Sequence, residues 1–458
     1  MTKHVREVAR DTPVVAKADV LVVGSGPAGL AAAIGAAREG VSTVLIERYG
    51  CFGGVITQVG ESSFAWYRHE GTTDVEGIGI EFENRAKQSG ASFRYPGSHS
   101  ELLDAEMFKY VADRLVEEAG IVPYLHCLAT EPVMEDGSLV GVITESKSGR
   151  AAILAKRIVD ASGDADLAFR AGVPCEKAPK DQMMGVTTMF SCSGVDKEAF
   201  LAYFLANPTT YGEWSGGWAL ESPGKLRDVP TGYLIEPFKR ARQDGMIPDD
   251  ITDLGGSFGA LTDAGEAKSL NFTWLLYDST DVRDVTKAEI EGRRRAIIAI
   301  EVLRKYLPGW EKATLRNFGM TVGVRESRRI TGRYRLTEQD VLSQARFEDS
   351  IGIFPEFIDG SWGKDGHGVM VLPTSGRYFH VPYGILVPQN LENLLVAGRC
   401  ASSDKIGHAA IRSMMCCTVM GQGAGVAAAI SVKDGVTSGK VEIRRVQAAL
   451  RRQGVRIL

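Results

Sequence analysis

Asp19-Val20-Leu21-Val22-Val23-Gly24-Ser25-Gly26-Pro27-Ala28-Gly29-Leu30 is a short apolar run broken by three glycines and continued by small, apolar residues. The run reads as a strand, the glycines as a tight turn, and Leu30 to about Arg38 as a helix. Val44-Leu45-Ile46 is then a second strand ending on Glu47. Gly24 permits the turn, Gly26 lets a pyrophosphate approach the backbone, and Gly29 lets the helix press on the strand. Pro27 and Ala28, within the glycine turn, are cofactor-binding candidates, and the free N–H groups and dipole of the helix that follows favour negative charge. Glu47 follows about twenty residues on, where its carboxylate can accept hydrogen bonds from a ribose 2′-OH and 3′-OH and would repel a 2′-phosphate. NADP is therefore disfavoured. The unit by itself leaves FAD and NAD both open.

At 458 residues the chain exceeds one small core, and two domains are expected, one interrupted by the other. Apolar residues make up 44% and charged residues 24%, as in ordinary soluble globular proteins. A net charge of −4 without a long basic run argues against a nucleic-acid surface. Residues 1–17 carry scattered charges and no apolar segment, unlike a secretory signal. Ser413 to Val432 lacks formal charge and is rich in glycine and alanine. Because it follows a strand of the dinucleotide domain, it is expected to be a buried helix and not a membrane span. The seven cysteines include no CxxC pair, so disulfide, zinc and cysteine-ligated cluster frameworks lack their usual spacing. No metal site is expected, and a reducing, cytoplasmic setting fits best. Cys416 and Cys417 read as packing residues, and Cys51 as packing or as a neighbour of a flavin.

The predicted architecture is α/β: a Rossmann-like dinucleotide domain with a β-meander, interrupted by an α+β cap. Its parts are an N-terminal extension (1–17), the first dinucleotide segment (18–170), the inserted cap or substrate domain (171–389), the second dinucleotide segment (390–435) and a C-terminal segment (436–458). Helices are predicted from Glu76 to Ser89 and from Leu102 to Ala119, and a strand from Ile121 to Leu128. The meander spans Glu131 to Ile158, followed by a parallel strand from Arg157 to Gly163. In the cap, Thr286 and Glu289 form a capping box for a helix to Leu307, with Ile290, Ile297, Ile300, Leu303 and Leu307 on one face. Tyr203, Phe204, Tyr211, Trp214 and Trp218 read as cap core or as an aromatic wall over a site.

Gly24 to Glu47, Arg157 to Asp164 and Leu394 to Gly425 together resemble the FAD-dependent oxidoreductases of the glutathione-reductase-like superfold. The chain is more closely similar to the bacterial FAD-dependent oxidoreductase family. That likeness is carried by Glu47-Arg48-Tyr49-Gly50 with Gly53-Gly54, by Val324-Arg325-Glu326-Ser327-Arg328-Arg329-Ile330, by His380-Val381-Pro382-Tyr383-Gly384, and by Ala397-Gly398-Arg399-Cys400 through His408 and Arg412. The resemblance implies FAD as cofactor. It puts the pyrophosphate at Gly24, Gly26 and Gly29, the adenosine ribose on Glu47 beside Arg48, and Gly53 and Gly54 along the pyrophosphate and ribityl portion. Ser162-Gly163 matches the second conserved strand end, with serine where threonine is more usual. The superfold's late Gly-Asp, whose carboxylate holds the ribityl chain, is replaced here by Gly398-Arg399, with the acid displaced to Asp404. A helix beginning near His408 is implied to point its N-terminus at the flavin.

The implied activity is hydride transfer between a small polar organic substrate, preferably carboxylate-bearing, and flavin N5. The electron acceptor is left among oxygen, a quinone and a carrier protein, and a homo-oligomer is left open. His380, Tyr383, His408 and Arg412 are the candidates for moving a proton, with His408 and Arg412 four apart on a helix start. Arg325 and Arg328 are candidates to hold a substrate acid, one of them at most, within an arginine-rich stretch that otherwise reads as an ion-pair face. Two other classes remain open: a thiazole-synthase-like protein with a structural or reactant dinucleotide, and an electron-transfer subunit of a heterodisulfide-reductase-like assembly.

Overall fold

Val14–Val23 is the central strand of a seven-stranded sheet. Thr43–Ile46 lies parallel on one side, with Val122–Tyr124 parallel beyond it. Gly149–Asp160 lies parallel on the other side. This long strand has two partners on its far flank: its first half pairs antiparallel with Ser138–Ser146, and Ile158, Val159 and Asp160 pair parallel with Leu394–Val396. The predicted meander strand and the predicted parallel strand at Arg157 are therefore one continuous element. A parallel strand buried on both faces needs an unbroken apolar run, and Val20 to Val23 are all buried. The α/β class expected from the sequence is the class that forms. The computed structural model describes residues 4–64, 67, 75–94, 101–210, 213, 230–363, 367–374 and 376–457. Tyr211, Trp214 and Trp218 of the aromatic cluster lie outside those residues.

Pro27–Arg38 packs along Met414–Lys433, and the contact explains the small residues of both helices. A Cβ on Gly421 would lie 2.0 Å from the Ala28 carbonyl oxygen, and one on Gly425 would lie 1.9 Å from that of Ala32. The backbones meet at glycine, four residues apart on one face. Met414–Lys433 is long and apolar enough to cross a membrane, yet 94% of its apolar window is buried within the protein. It serves here as a core helix.

The residues read as one inserted cap join two different cores. Phe190, Phe200, Phe238, Phe258, Phe272, Leu303 and Trp310 form a core of their own. Ile351, Phe354, Phe379, Tyr383 and Leu386 instead pack into the core that holds Leu30, Phe108, Met420 and Leu450. The first strand also begins at Val14, inside the segment read as an extension.

Two helix starts differ instructively. Ala105–Glu118 begins later than predicted because Glu101–Leu103 forms a strand and Asp104 caps the helix, accepting from the N–H groups of Glu106 and Met107. Val282–Tyr306 begins one turn before the predicted capping box. Asp281 caps it by accepting from the N–H groups of Arg283 and Asp284, while the Thr286 hydroxyl donates back to the Val282 carbonyl. Ile290 and Ile297, assigned to the buried face, are 63% and 45% exposed; Ala288, Gly292, Ala296 and Ala299 are buried instead. Ile300, Leu303 and Leu307 of the predicted face are buried as expected, so the small side chains replace the large ones only in the first part of the helix.

Candidate active site

One cavity of ≈ 410 Å³ runs from the glycine turn to the cap. At its glycine end Gly24 has a φ of +92° and Gly54 a φ of +54°, conformations that favour glycine. A Cβ on Gly54 would come 2.5 Å from the Gly26 Cα, whereas one on Gly26 would meet nothing nearer than 3.9 Å. Gly26 thus faces open space. It is also the N-cap of Pro27–Arg38 and has no side-chain cap, so the first N–H groups of the helix stay available to an anion. Gly29 and Gly53 do not line the cavity. Gly29 presses against Gly24, and the Gly53 N–H donates to the Ser25 carbonyl to hold the turn.

Glu47 Oε2 accepts from the Ser25 N–H at 2.9 Å and the Ser25 hydroxyl at 2.7 Å. Among the described residues Oε1 accepts only from the Tyr49 N–H, at 3.0 Å, which leaves it a lone pair for a ribose hydroxyl. Arg48 lines the cavity with its guanidinium over the Tyr49 ring, 4.8 Å from the centroid. An open backbone cradle, uncapped helix N–H groups and a carboxylate with spare acceptor capacity fit the ADP half of FAD.

Midway along, Ser162, Gly163, Gly398 and Arg399 line the wall. The Ser162 N–H donates to the buried Asp160 carboxylate, and the Ser162 hydroxyl accepts from the Asp166 N–H. Arg399 Nη1 donates to Asp164 Oδ1 at 2.9 Å and to the Ser327 hydroxyl at 3.2 Å. The wall thus carries an arginine with its own counter-ion at the position where the superfold has an acid. Asp404 does not replace that acid: it caps Lys405–Ile411 through the Gly407 N–H and accepts from the Glu338 N–H, away from the cavity.

At the cap end stand Arg325, Arg412, Asp359, Glu61 and Asn271. Arg412 is paired with Asp359 at 2.9 Å. Arg325 is held differently: Nη1 donates to the Gly185 carbonyl and the Thr187 hydroxyl, and Nη2 to Asn271 Oδ1 at 3.4 Å. All three acceptors are neutral, and Arg325 has no ion-pair partner among the described residues. Burial, and after it the Arg412 charge, holds its pKa below the ordinary arginine value.

Three of the four proton-transfer candidates lie off the cavity. His380 is buried beside Phe347, where Nδ1 meets the Phe347 N–H at 3.1 Å. The Tyr383 hydroxyl donates to the Ser438 carbonyl, and burial pushes its pKa far up. His380 lies in the strand Tyr378–Pro382 and Tyr383 in the short helical turn after it, and both are buried away from the cavity lining. His408 is fully buried, with Nε2 3.0 Å from the Arg325 carbonyl oxygen, so it braces the arginine from behind. The expected long helix from His408 is two helices, Lys405–Ile411 and Met414–Lys433, and it is the second that begins at the cavity wall. Arg328 also points away, bonded to Asp166 Oδ1 and the Asp164 carbonyl over the Phe169 ring. Glu61, Asp359 and Asn271 were not anticipated. Only Glu61 leaves a local trace in the sequence, as the first charged residue after Gly53-Gly54.

The chain is 30% identical over 195 residues to a digeranylgeranylglycerophospholipid reductase of Methanopyrus kandleri, a match covering 41% of this chain and 48% of that one. It is 57% identical over 44 residues to a dihydrolipoyl dehydrogenase of Vibrio parahaemolyticus, covering 10% and 9% of the two chains. The matches therefore span about half the length of the first curated relative or less. Among solved structures, a geranylgeranyl bacteriochlorophyll reductase-like protein from Thermoplasma acidophilum superposes with a TM-score of 0.48 at 13% identity, over 95% of this chain and 83% of that one. The family described as FAD dependent oxidoreductase matches residues 19–450, nearly the whole chain, and carries its cofactor with it. The protein is an enzyme of that FAD dependent oxidoreductase family.

Proposed function

We propose that the enzyme oxidises or reduces a small organic anion, with a carboxylate as the group it grips, by moving a hydride between substrate carbon and flavin. One observation carries the substrate class: Arg325 faces the cavity, and among the described residues its hydrogen bonds go only to neutral acceptors, with Glu61 and Asp359 near enough to act on it but not ion-paired with it. A largely desolvated guanidinium without a direct ion-pair partner is costly unless a ligand supplies one. A carboxylate matches it in charge and in the planar geometry of its fork. Arg412, ion-paired with Asp359, stands as the second guanidinium at the same end.

When bound, the flavin supplies the two-electron exchange. The residues of this chain hold its ADP portion at Gly26, Gly54 and Glu47, orient the acid on Arg325, and enclose the reacting bond between the glycine turn and the cap. Met414–Lys433 directs its N-terminal N–H groups at the cavity, favouring negative charge there. The electron acceptor is proposed to be oxygen, a quinone or a carrier protein, in a reducing compartment suited to seven free cysteines.

The test is anaerobic. The FAD-loaded protein is mixed with a panel of small hydroxy, amino and unsaturated acids while the flavin absorbance is followed. Bleaching by an acid, or reoxidation of the reduced protein by an unsaturated one, supports the reading. Uncharged esters of the same compounds bleaching equally fast would overturn the anion assignment. A flavin that no substrate reduces, in a protein that consumes its dinucleotide, would favour the thiazole-synthase-like class.

A further inference from the structure

Five carboxylates and no histidine line the cavity among the described residues. Four of the five are committed. Glu47 accepts three donors. Asp164, Asp166 and Asp359 pair with Arg399, Arg328 and Arg412 respectively. Glu61 is different: it has no ion pair among the described residues and accepts hydrogen bonds only from Ser63, whose N–H lies 3.2 Å from Oε1.

Its place in the chain also sets it apart. Gly54 leads into a single π-turn, Val55–Val59, closed by Gly60 at a φ of +84°. Glu61 follows directly. The π-turn therefore joins the pyrophosphate cradle to the cap end in one short segment, and wide turns of this kind recur at functional sites. Glu61 arrives on the cavity wall at the end occupied by Arg325 and Asp359, the charged groups that act on it.

We propose that Glu61 is the group that takes up and returns the proton of the reaction, an inference that rests on the hydride-transfer reading above. Oxidation of an H–C–X–H unit, with X oxygen or nitrogen, breaks one C–H and one X–H bond and forms C=X. The C–H hydrogen leaves with its electron pair as hydride to the flavin. The X–H proton passes to the Glu61 carboxylate, which becomes a carboxylic acid and later loses that proton to solvent. In the reverse direction the acid donates it to X. The other ionisable groups at hand are poorly suited. The guanidiniums stay protonated, burial pushes the Cys417 thiol up to about 12 and Cys127 upward too, and phenols as a class ionise only around pH 10. Burial raises the Glu61 carboxyl above the ordinary range. Ser63 and the Arg325 charge pull it back, and Asp359 adds to the rise. A general acid–base group works best with a pKa shifted toward the working pH.

Two measurements on the FAD-loaded protein test this. In pH-difference infrared spectra, the carbonyl band of a protonated carboxyl should vanish as pH rises through a range above that of ordinary carboxyls, and should be missing from Glu61→Gln. In single-turnover flavin reduction by whichever substrate the screen yields, wild type should speed up as pH rises through the same range. Glu61→Gln should be slower by about 100-fold or more and insensitive to pH there, with a much smaller change in substrate affinity. A Glu61→Gln protein that keeps the band, or that keeps the wild-type pH profile, overturns the inference. Failure of the hydride-transfer reading looks different: no substrate would bleach the flavin, while the carboxyl band would still be present in wild type and missing from Glu61→Gln.

Discussion

The glycine end of the cavity offers a ligand mostly backbone, from residues close in sequence; the cap end offers side chains carried in from distant segments. The first is built by what the chain leaves out. Gly26 has no Cβ to block an approach, Gly54 has none to strike Gly26, and the first turn of Pro27–Arg38 has no side chain covering its N–H groups. The second is built by what surrounding residues withhold. Arg412 receives a carboxylate and Arg325 receives only a carbonyl, a hydroxyl and an amide. The contrast teaches that the cofactor end is generic and the substrate end individual, and mutations should separate them.

The largest effect is expected at the glycine end. A Cβ at Gly29 would sit 1.8 Å from the Gly24 carbonyl oxygen, so Gly29→Ala should destabilise the fold by about 3 kcal/mol or more and abolish flavin retention. Gly26→Ala should remove the flavin while costing the fold only about 1 kcal/mol, because its Cβ meets nothing closer than 3.9 Å. Melting temperature and flavin absorbance of the purified variants read both. Equal loss of stability in the two would break the cradle argument.

At the cap end, Arg325→Met should weaken binding of a small acid by about 100-fold, or about 2–3 kcal/mol, and leave flavin retention as in wild type. Calorimetric titration of the holoenzyme checks it. A variant that lost flavin along with acid affinity would merge the two ends that the structure keeps apart.

Behind Arg325, His408 makes the cap end pH-sensitive in stability. Burial first, then the Arg329 and Arg412 charges, hold its pKa well below 6.5 in the folded protein, so the folded state binds fewer protons than the unfolded one. Its stabilising contribution is complete above 6.5 and is lost as pH falls below that value, by up to about 1.4 kcal/mol per pH unit. Urea unfolding at pH 7.5 and 5.5 should show that loss in wild type, and a shallower one in His408→Gln. An identical slope in both would remove His408 from the account.

The smallest effect sharpens the comparison between two neighbouring arginines. Arg328 shares its motif with Arg325, but it lies 3.0 Å from Asp166 and 4.4 Å from the Phe169 ring centroid. Arg328→Met should cost about 1 kcal/mol of stability and leave acid affinity unchanged. A drop in affinity comparable with that of Arg325→Met would show that the motif acts as a unit.

The misplaced residues share a cause. His380, Tyr383 and His408 are polar residues near family motifs, and in sequence a polar residue facing a ligand looks the same as one bonded inside the core. In space the difference is plain: Tyr383 spends its hydroxyl on Ser438 and His408 its imidazole on the Arg325 carbonyl. In the helix Val282–Tyr306 the predicted apolar row holds at Ile300, Leu303 and Leu307, which are buried, and fails at Ile290 and Ile297, where the buried side chains are those of Ala288 and Ala296.

Sequence alone determined the strand–glycine–helix unit, the acid at Glu47 and the α/β class, because each depends on backbone conformation and periodicity within a few turns of chain; FAD rather than NAD came from the family resemblance of segments far apart in the chain. It also marked Met414–Lys433 as a small-residue helix, and Gly421 and Gly425 are indeed where another helix touches it. Only the tertiary structure decided which cap-end arginine and which cavity carboxylate have no ion-pair partner among the described residues, and which histidines lie off the cavity. Those properties belong to pairs of residues far apart in the chain. Charge pairing and burial arise only when the segments meet.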